Sequence, residues 1–218
     1  MTMEYTTTEW NNKKIILGES DINPSEPFRL LIGFHGADST PENMLIHAGK
    51  LNLNNTALLF PEAPIDAGKG LWSWWKDGPN QKETVAEFLK FTDNFVKSAQ
   101  HWASEKADQY ETHLWGFSQG GAAALVYSIL GPHTIHKSAS ICGFLPELPE
   151  VTPESEKPLC NILGIYGAND NVVPSFLAEF ALDEIKGQGH NVKILETDQG
   201  HEVTADNLSE LSGFFSTQ

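Results

Sequence analysis

The sequence predicts one α/β domain spanning residues 1–218, with a mostly parallel central sheet and helices on both faces. Three observations carry that expectation. Short apolar runs alternate with amphipathic stretches from end to end. Most of those runs are continuous rather than alternating, as strands buried on both faces must be. The 218-residue length suits one domain, large enough to take roughly 70% of its extended-chain surface out of water without staples.

The strand expectations run in order as Ile15–Leu17, Leu30–Phe34, Ala57–Phe60, His113–Gly116, Ser138–Cys142, Ile162–Tyr166 and Val192–Leu195. Between them, helices are expected over Glu42–Ala48, Gln81–Lys106, Gly120–Leu130, Ser175–Lys186 and Asn207–Phe215. The longest is the best marked. Val85, Phe88, Leu89, Phe95, Val96, Ala99 and Trp102 recur at three-and-four spacing, the period of a helix with one buried face. Asn80 and Glu83 have the spacing of a capping box at its start. Gly131 and Pro132 stop the third helix, and the proline-rich stretch Phe144–Pro158 reads as a surface loop. Met1–Trp10 is polar and threonine-rich, with no signal-peptide run. No stretch approaches the ~20 apolar residues of a membrane span.

Composition excludes several functions. Acidic residues number 29 against 14 basic ones, a formal charge of −15, and Arg29 is the only arginine. Phosphate backbones need clustered cations, so nucleic acid is excluded as a partner, and an anionic membrane surface would repel the chain. Two cysteines, Cys142 and Cys160, make no disulfide framework and read as buried thiols of a reducing, cytoplasmic compartment. The eight histidines lack zinc-site spacing, so no metal is expected.

The chemistry is read from Gly116-Phe117-Ser118-Gln119-Gly120. A strand leads in and an alanine-rich helix leads out, and glycines flanking the serine allow a tight strand–turn–helix elbow. Such a turn holds the serine oxygen at a helix N-terminus, where partial positive charge favours an oxyanion. Serine needs a histidine base held by a carboxylate. His201 follows the last strand and emerges at the C-terminal sheet edge, where parallel sheets collect their sites. His190 lies before that strand, at the wrong end. Asp170 follows the strand Ile162–Tyr166 to the same edge and is preferred as the acid over Asp198, which is only three residues from His201. Gln119 is one backbone oxyanion donor by position; Ala37, in Phe34-His35-Gly36-Ala37-Asp38, is the other. His35 reads as a packed structural histidine.

These motifs resemble the phospholipase/carboxylesterase family, which includes acyl-protein thioesterases, within the α/β-hydrolase superfamily. The matches run the whole length: Phe34-His35-Gly36, Phe60-Pro61-Glu62-Ala63-Pro64, Ser73-Trp74-Trp75 with Asp77, the serine elbow, Cys142-Gly143-Phe144-Leu145-Pro146, Gly167-Ala168-Asn169-Asp170 with Val172-Val173-Pro174, and Gly200-His201-Glu202. The resemblance implies an esterase or thioesterase with Ser118, Asp170 and His201 as triad, acting on a small-molecule ester or acylated substrate without cofactor. Two departures stand out. Ala37 is followed at once by Asp38, and the stretch between Pro64 and Trp74 is shorter than in acyl-protein thioesterases. Two readings of the aromatic run stand side by side: Trp74 and Trp75 fill the core as large aromatics do, or Trp74 or Trp75 lines an apolar pocket with Phe144 and Val172, in which case the shorter loop implies short to medium acyl chains, about C4 to C8. Triad chemistry also suits amide hydrolysis, and a fold that had lost turnover would bind its ligand without cleaving it.

Overall fold

All seven apolar runs fall on strands, with only Cys142, at the end of the fifth, lying past its strand. The computed structural model describes residues 3–20, 23, 26–150 and 158–217; part of the Phe144–Pro158 loop therefore lies outside the described residues. The main sheet holds β1 (Glu4–Trp10), β2 (Lys13–Glu19), β3 (Phe28–Phe34), β4 (Thr56–Pro61), β7 (Tyr110–Phe117), β8 (Lys137–Ile141), β9 (Asn161–Gly167) and β10 (Asn191–Thr197). Its order is β1-β2-β4-β3-β7-β8-β9-β10. Pairing is antiparallel from β1 to β2 and from β2 to β4, and parallel from β4 onward.

Alternate residues of these strands feed two cores. Leu30, Ile32, Leu114 and Ile162 face α2 (Gln81–Ser104), α3 (Gln119–Leu130) and α4 (Ser175–Gly187). Leu31, Trp115, Leu163 and Ile165 face α1 (Glu42–Ala48) and α5 (Ala205–Ser216). Helices thus cover both faces, as continuous apolar strands require.

Three features depart from the sequence expectation. β1 is an edge strand made from the threonine-rich stretch, whose side chains are mostly exposed or half-buried, so no apolar run announced it. A separate hairpin, β5 (Ile65–Gly68) with β6 (Leu71–Ser73), occupies the short stretch before Trp74. Asn80 makes no capping hydrogen bond from its side chain. The structure instead builds a capping box at α5, with Thr204 as cap and Asn207 as its reciprocal partner.

The chain runs from β3 outward to β4, then returns to β7 on the other side of β3. The sheet order therefore reverses between β3 and β7, and a crevice opens at their C-terminal ends. Phe34 pairs with Gly116 at that point, so the loops after both strands meet there.

Candidate active site

Ser118 sits between β7 and α3 with φ 58° and ψ −125°, a left-handed-side conformation that costs a non-glycine residue about 1–3 kcal/mol. Surrounding backbone enforces the turn. A Cβ on Gly116 would lie 2.2 Å from the Gly120 carbonyl oxygen, and one on Gly120 would lie 2.0 Å from that of Phe34. Only glycine fits either position.

His201 reaches the serine from the loop after β10. Its Nε2 is 2.9 Å from Ser118 Oγ, and its Nδ1 is 2.8 Å from Asp170 Oδ2. The other Asp170 oxygen accepts hydrogen bonds from the Val172 and Val173 backbone N–H groups, both at 2.8 Å. Burial pushes the Asp170 carboxyl up, but the bond from His201 and the two backbone donors outweigh it and hold the pKa below the ordinary value. An ionised Asp170 can only accept. Nδ1 of His201 is then the protonated nitrogen, and Nε2 is left to accept from the serine.

Asp198 is exposed; its backbone oxygen takes a bond from the Asn169 side chain. The structure brings Asp170 to His201. His190 accepts from the Cys160 N–H at the far end of the sheet. Cys142 is fully buried, and burial together with the nearby Asp170 charge pushes its thiol pKa up to about 12. Phe117 stacks at 4.8 Å on the His201 ring.

Gln119 opens α3, so its backbone N–H lies in the first turn, where no intrahelical acceptor exists. Gly36 passes close by: a Cβ there would be 3.7 Å from that of Ser118, so the loop that carries Ala37 borders the serine. His35 is buried, its ring 4.9 Å from that of Trp74, and burial lowers its pKa to about 4. It is a neutral structural residue.

The pocket expectation needs correction. Trp74 and Trp75 are 0% and 1% exposed, and both pack edge-on against Phe88. Neither offers surface to a ligand, because the β5–β6 hairpin turns them into the core. Phe144 is half-buried against Trp75, and Val172 is 67% exposed beside the acid.

The hydrogen bonds of four polar side chains were not foreseen from the sequence. Ser73 and the Gln119 amide bind the Trp72–Trp75 segment and its neighbours. Gln199 and Asn207 brace the His201 loop: Asn207 Nδ2 donates to Gln199 Oε1 at 2.8 Å, and Gln199 Nε2 donates to the Glu202 carbonyl at 2.8 Å. Thr204 and Asn207 have capping-box spacing, a signal that was legible; the partners of Gln119 lie more than forty residues away in the chain.

A family model described as phospholipase/carboxylesterase matches residues 21–218. The chain belongs to that family. Carboxylesterase SOBER1 of Arabidopsis thaliana is 26% identical over 178 residues, covering 73% of this chain and 76% of that protein. The crystal structure of Arabidopsis thaliana SOBER1 superposes with a TM-score of 0.72 at 22% identity, covering 85% of this chain and 97% of that one. Zea mays acyl-protein thioesterase 2 has a TM-score of 0.70 at 18% identity, with 93% and 97% covered. These solved structures share the α/β-hydrolase fold. Among the described residues of this family member, no helix is long and apolar enough to cross a membrane.

Proposed function

We propose that the chain, acting as one domain in the cytoplasm, is a serine hydrolase that cleaves carboxylic esters or thioesters of short to medium acyl chains. The observation that carries this reading is the continuous contact Ser118 Oγ to His201 Nε2 to Asp170. Ser118 Oγ attacks the carbonyl carbon while its proton passes to Nε2. The carbonyl electrons move to oxygen, where the N–H groups of Gln119 and Ala37 stabilise the negative charge. Collapse of this intermediate breaks the bond to the alcohol or thiol, and His201 returns the proton to that leaving group. Water then attacks the acyl-Ser118 ester with His201 again as base, releasing acid and free enzyme. Asp170 keeps the imidazole in the required tautomer throughout. The scheme calls for no metal or cofactor.

The test is a panel of p-nitrophenyl esters and acyl thioesters assayed with wild type and Ser118→Ala. The reading expects turnover on short esters or thioesters and a loss of several orders of magnitude in the variant. Near-wild-type turnover in Ser118→Ala would overturn it.

A further inference from the structure

The segment Trp72–Trp75 contacts both stretches assigned the oxyanion donors, the loop after β3 and the start of α3. On the loop after β3, Ser39 and Trp72 exchange backbone hydrogen bonds at 3.1 and 2.9 Å. Ser73 Oγ accepts from the Asp38 N–H and donates to Asp38 Oδ1, both at 2.9 Å. Asp38 itself has φ 49°, an uncommon conformation for a residue other than glycine and one that a paired side chain helps to hold. Trp74 Nε1 donates to the His35 carbonyl at 2.7 Å. At the start of α3, the Gln119 side chain accepts from the Trp74 N–H at 2.9 Å and donates to the Trp75 carbonyl at 3.1 Å. The Gln119 amide thus satisfies one backbone donor and one backbone acceptor of the buried bend at Trp74 and Trp75.

We infer that Trp72–Trp75 is a brace that fixes the spacing of the two oxyanion donors, with Ser73, Trp74 and the Gln119 side chain as its positioning residues. This rests on the serine-hydrolase reading above and adds a role for the aromatic segment. Ala37 lies between two pinned neighbours, His35 and Asp38, while the Gln119 N–H belongs to a residue whose side chain is pinned to the same segment. Donors aimed at a developing oxyanion lose much of their effect when displaced by a fraction of a hydrogen-bond length. The brace therefore acts on the transition state more than on ground-state substrate.

The experiment uses Ser73→Ala, Ser73→Thr, Gln119→Ala and Trp74→Phe, the last keeping an aromatic ring while removing the indole donor. For each, kcat and KM are measured on the best ester, along with Ki for an alkyl trifluoromethyl ketone, which forms a tetrahedral oxyanion adduct with an active serine. Ser73→Ala, Gln119→Ala and Trp74→Phe should each lose about 10- to 100-fold in kcat with KM little changed. Ki should weaken in proportion to kcat/KM across the series, and Ser73→Thr, which restores the hydroxyl, should recover most of both. A role confined to folding would shift melting temperature without that proportionality. Unchanged kcat in all three, or a fall in kcat/KM with unchanged Ki, would overturn the brace. Wild-type labelling by a fluorophosphonate separates the two levels: an unlabelled wild type sinks the hydrolase reading, whereas a labelled wild type with insensitive brace variants sinks this inference alone.

Discussion

Asn207 holds Gln199 through a 2.8 Å hydrogen bond from its side-chain nitrogen, and it does so from inside the capping box of α5. Its Oδ1 accepts from the Thr204 N–H while its own backbone N–H donates to Thr204 Oγ1. Gln199 in turn takes hold of the Glu202 carbonyl. One asparagine thus couples the start of a helix to the loop that carries His201. Asn207→Ala should destabilise the fold by about 1–3 kcal/mol, since it removes the donor to the buried Gln199 Oε1 and opens the cap. It should also lower kcat, by loosening the histidine. Thr204→Ala breaks the cap but spares the Gln199 bond, so urea unfolding should show a loss while kcat stays near wild type. Equal kcat effects in the two variants would contradict this coupling.

The roles of the two loop carboxylates separate cleanly. Asp170→Asn should leave the geometry but favour the wrong tautomer of His201, with a kcat loss of up to ~10⁴. Asp198→Asn should do little, because that side chain is exposed and the Nδ1 of His201 is already bonded to Asp170. Steady-state kinetics on one ester decides; exchanged results would move the acid to Asp198.

Acid stability follows from His35. Its folded pKa of about 4 lies below its ordinary 6.5, so between those values the unfolded chain binds the extra proton. Stability contributed by neutral His35 is then complete above ~pH 6.5 and is lost as pH falls toward ~4. Buried His113 is also lowered and acts in the same direction. The measurement is the pH dependence of urea unfolding in wild type and His35→Gln. The variant should show a shallower loss of stability over this window, by an amount on the order of 3 kcal/mol. An identical slope would show that His35 titrates normally.

Phe144 and Val172 are the two pocket candidates with surface to offer, and the proposed function assigns acyl-chain choice to them. We expect kcat/KM to climb by up to ~0.8 kcal/mol per methylene and to peak at about C4 to C8. Phe144→Ala and Val172→Ala should shift or flatten that profile. Trp75→Ala should instead cost about 3–5 kcal/mol of stability, as removal of a fully buried indole does. A wild-type preference for palmitate, or an unchanged profile in both pocket variants, would reject this assignment.

Much of the architecture was legible because burial on both faces writes continuous apolar runs, as in Leu30–Phe34 and Ile162–Tyr166. β1 left no such trace, since an edge strand keeps polar residues. The meeting of Ser118, His201 and Asp170 at one sheet edge followed from which loops succeed which strands. The direction of Trp74 and Trp75 was not legible. It is set by the hairpin before them and by Gln119, a partner distant in sequence, and neither propensity nor periodicity records such a pairing.

The most direct test of the account is covalent labelling of the native protein with a fluorophosphonate, followed by intact-mass and peptide mass spectrometry. An activated serine should take up one label, located on Ser118, with labelling lost in Ser118→Ala and strongly slowed in His201→Ala. A folded wild-type protein that stays unlabelled, or carries the label on another residue, would contradict the assignment of Ser118 as the nucleophile.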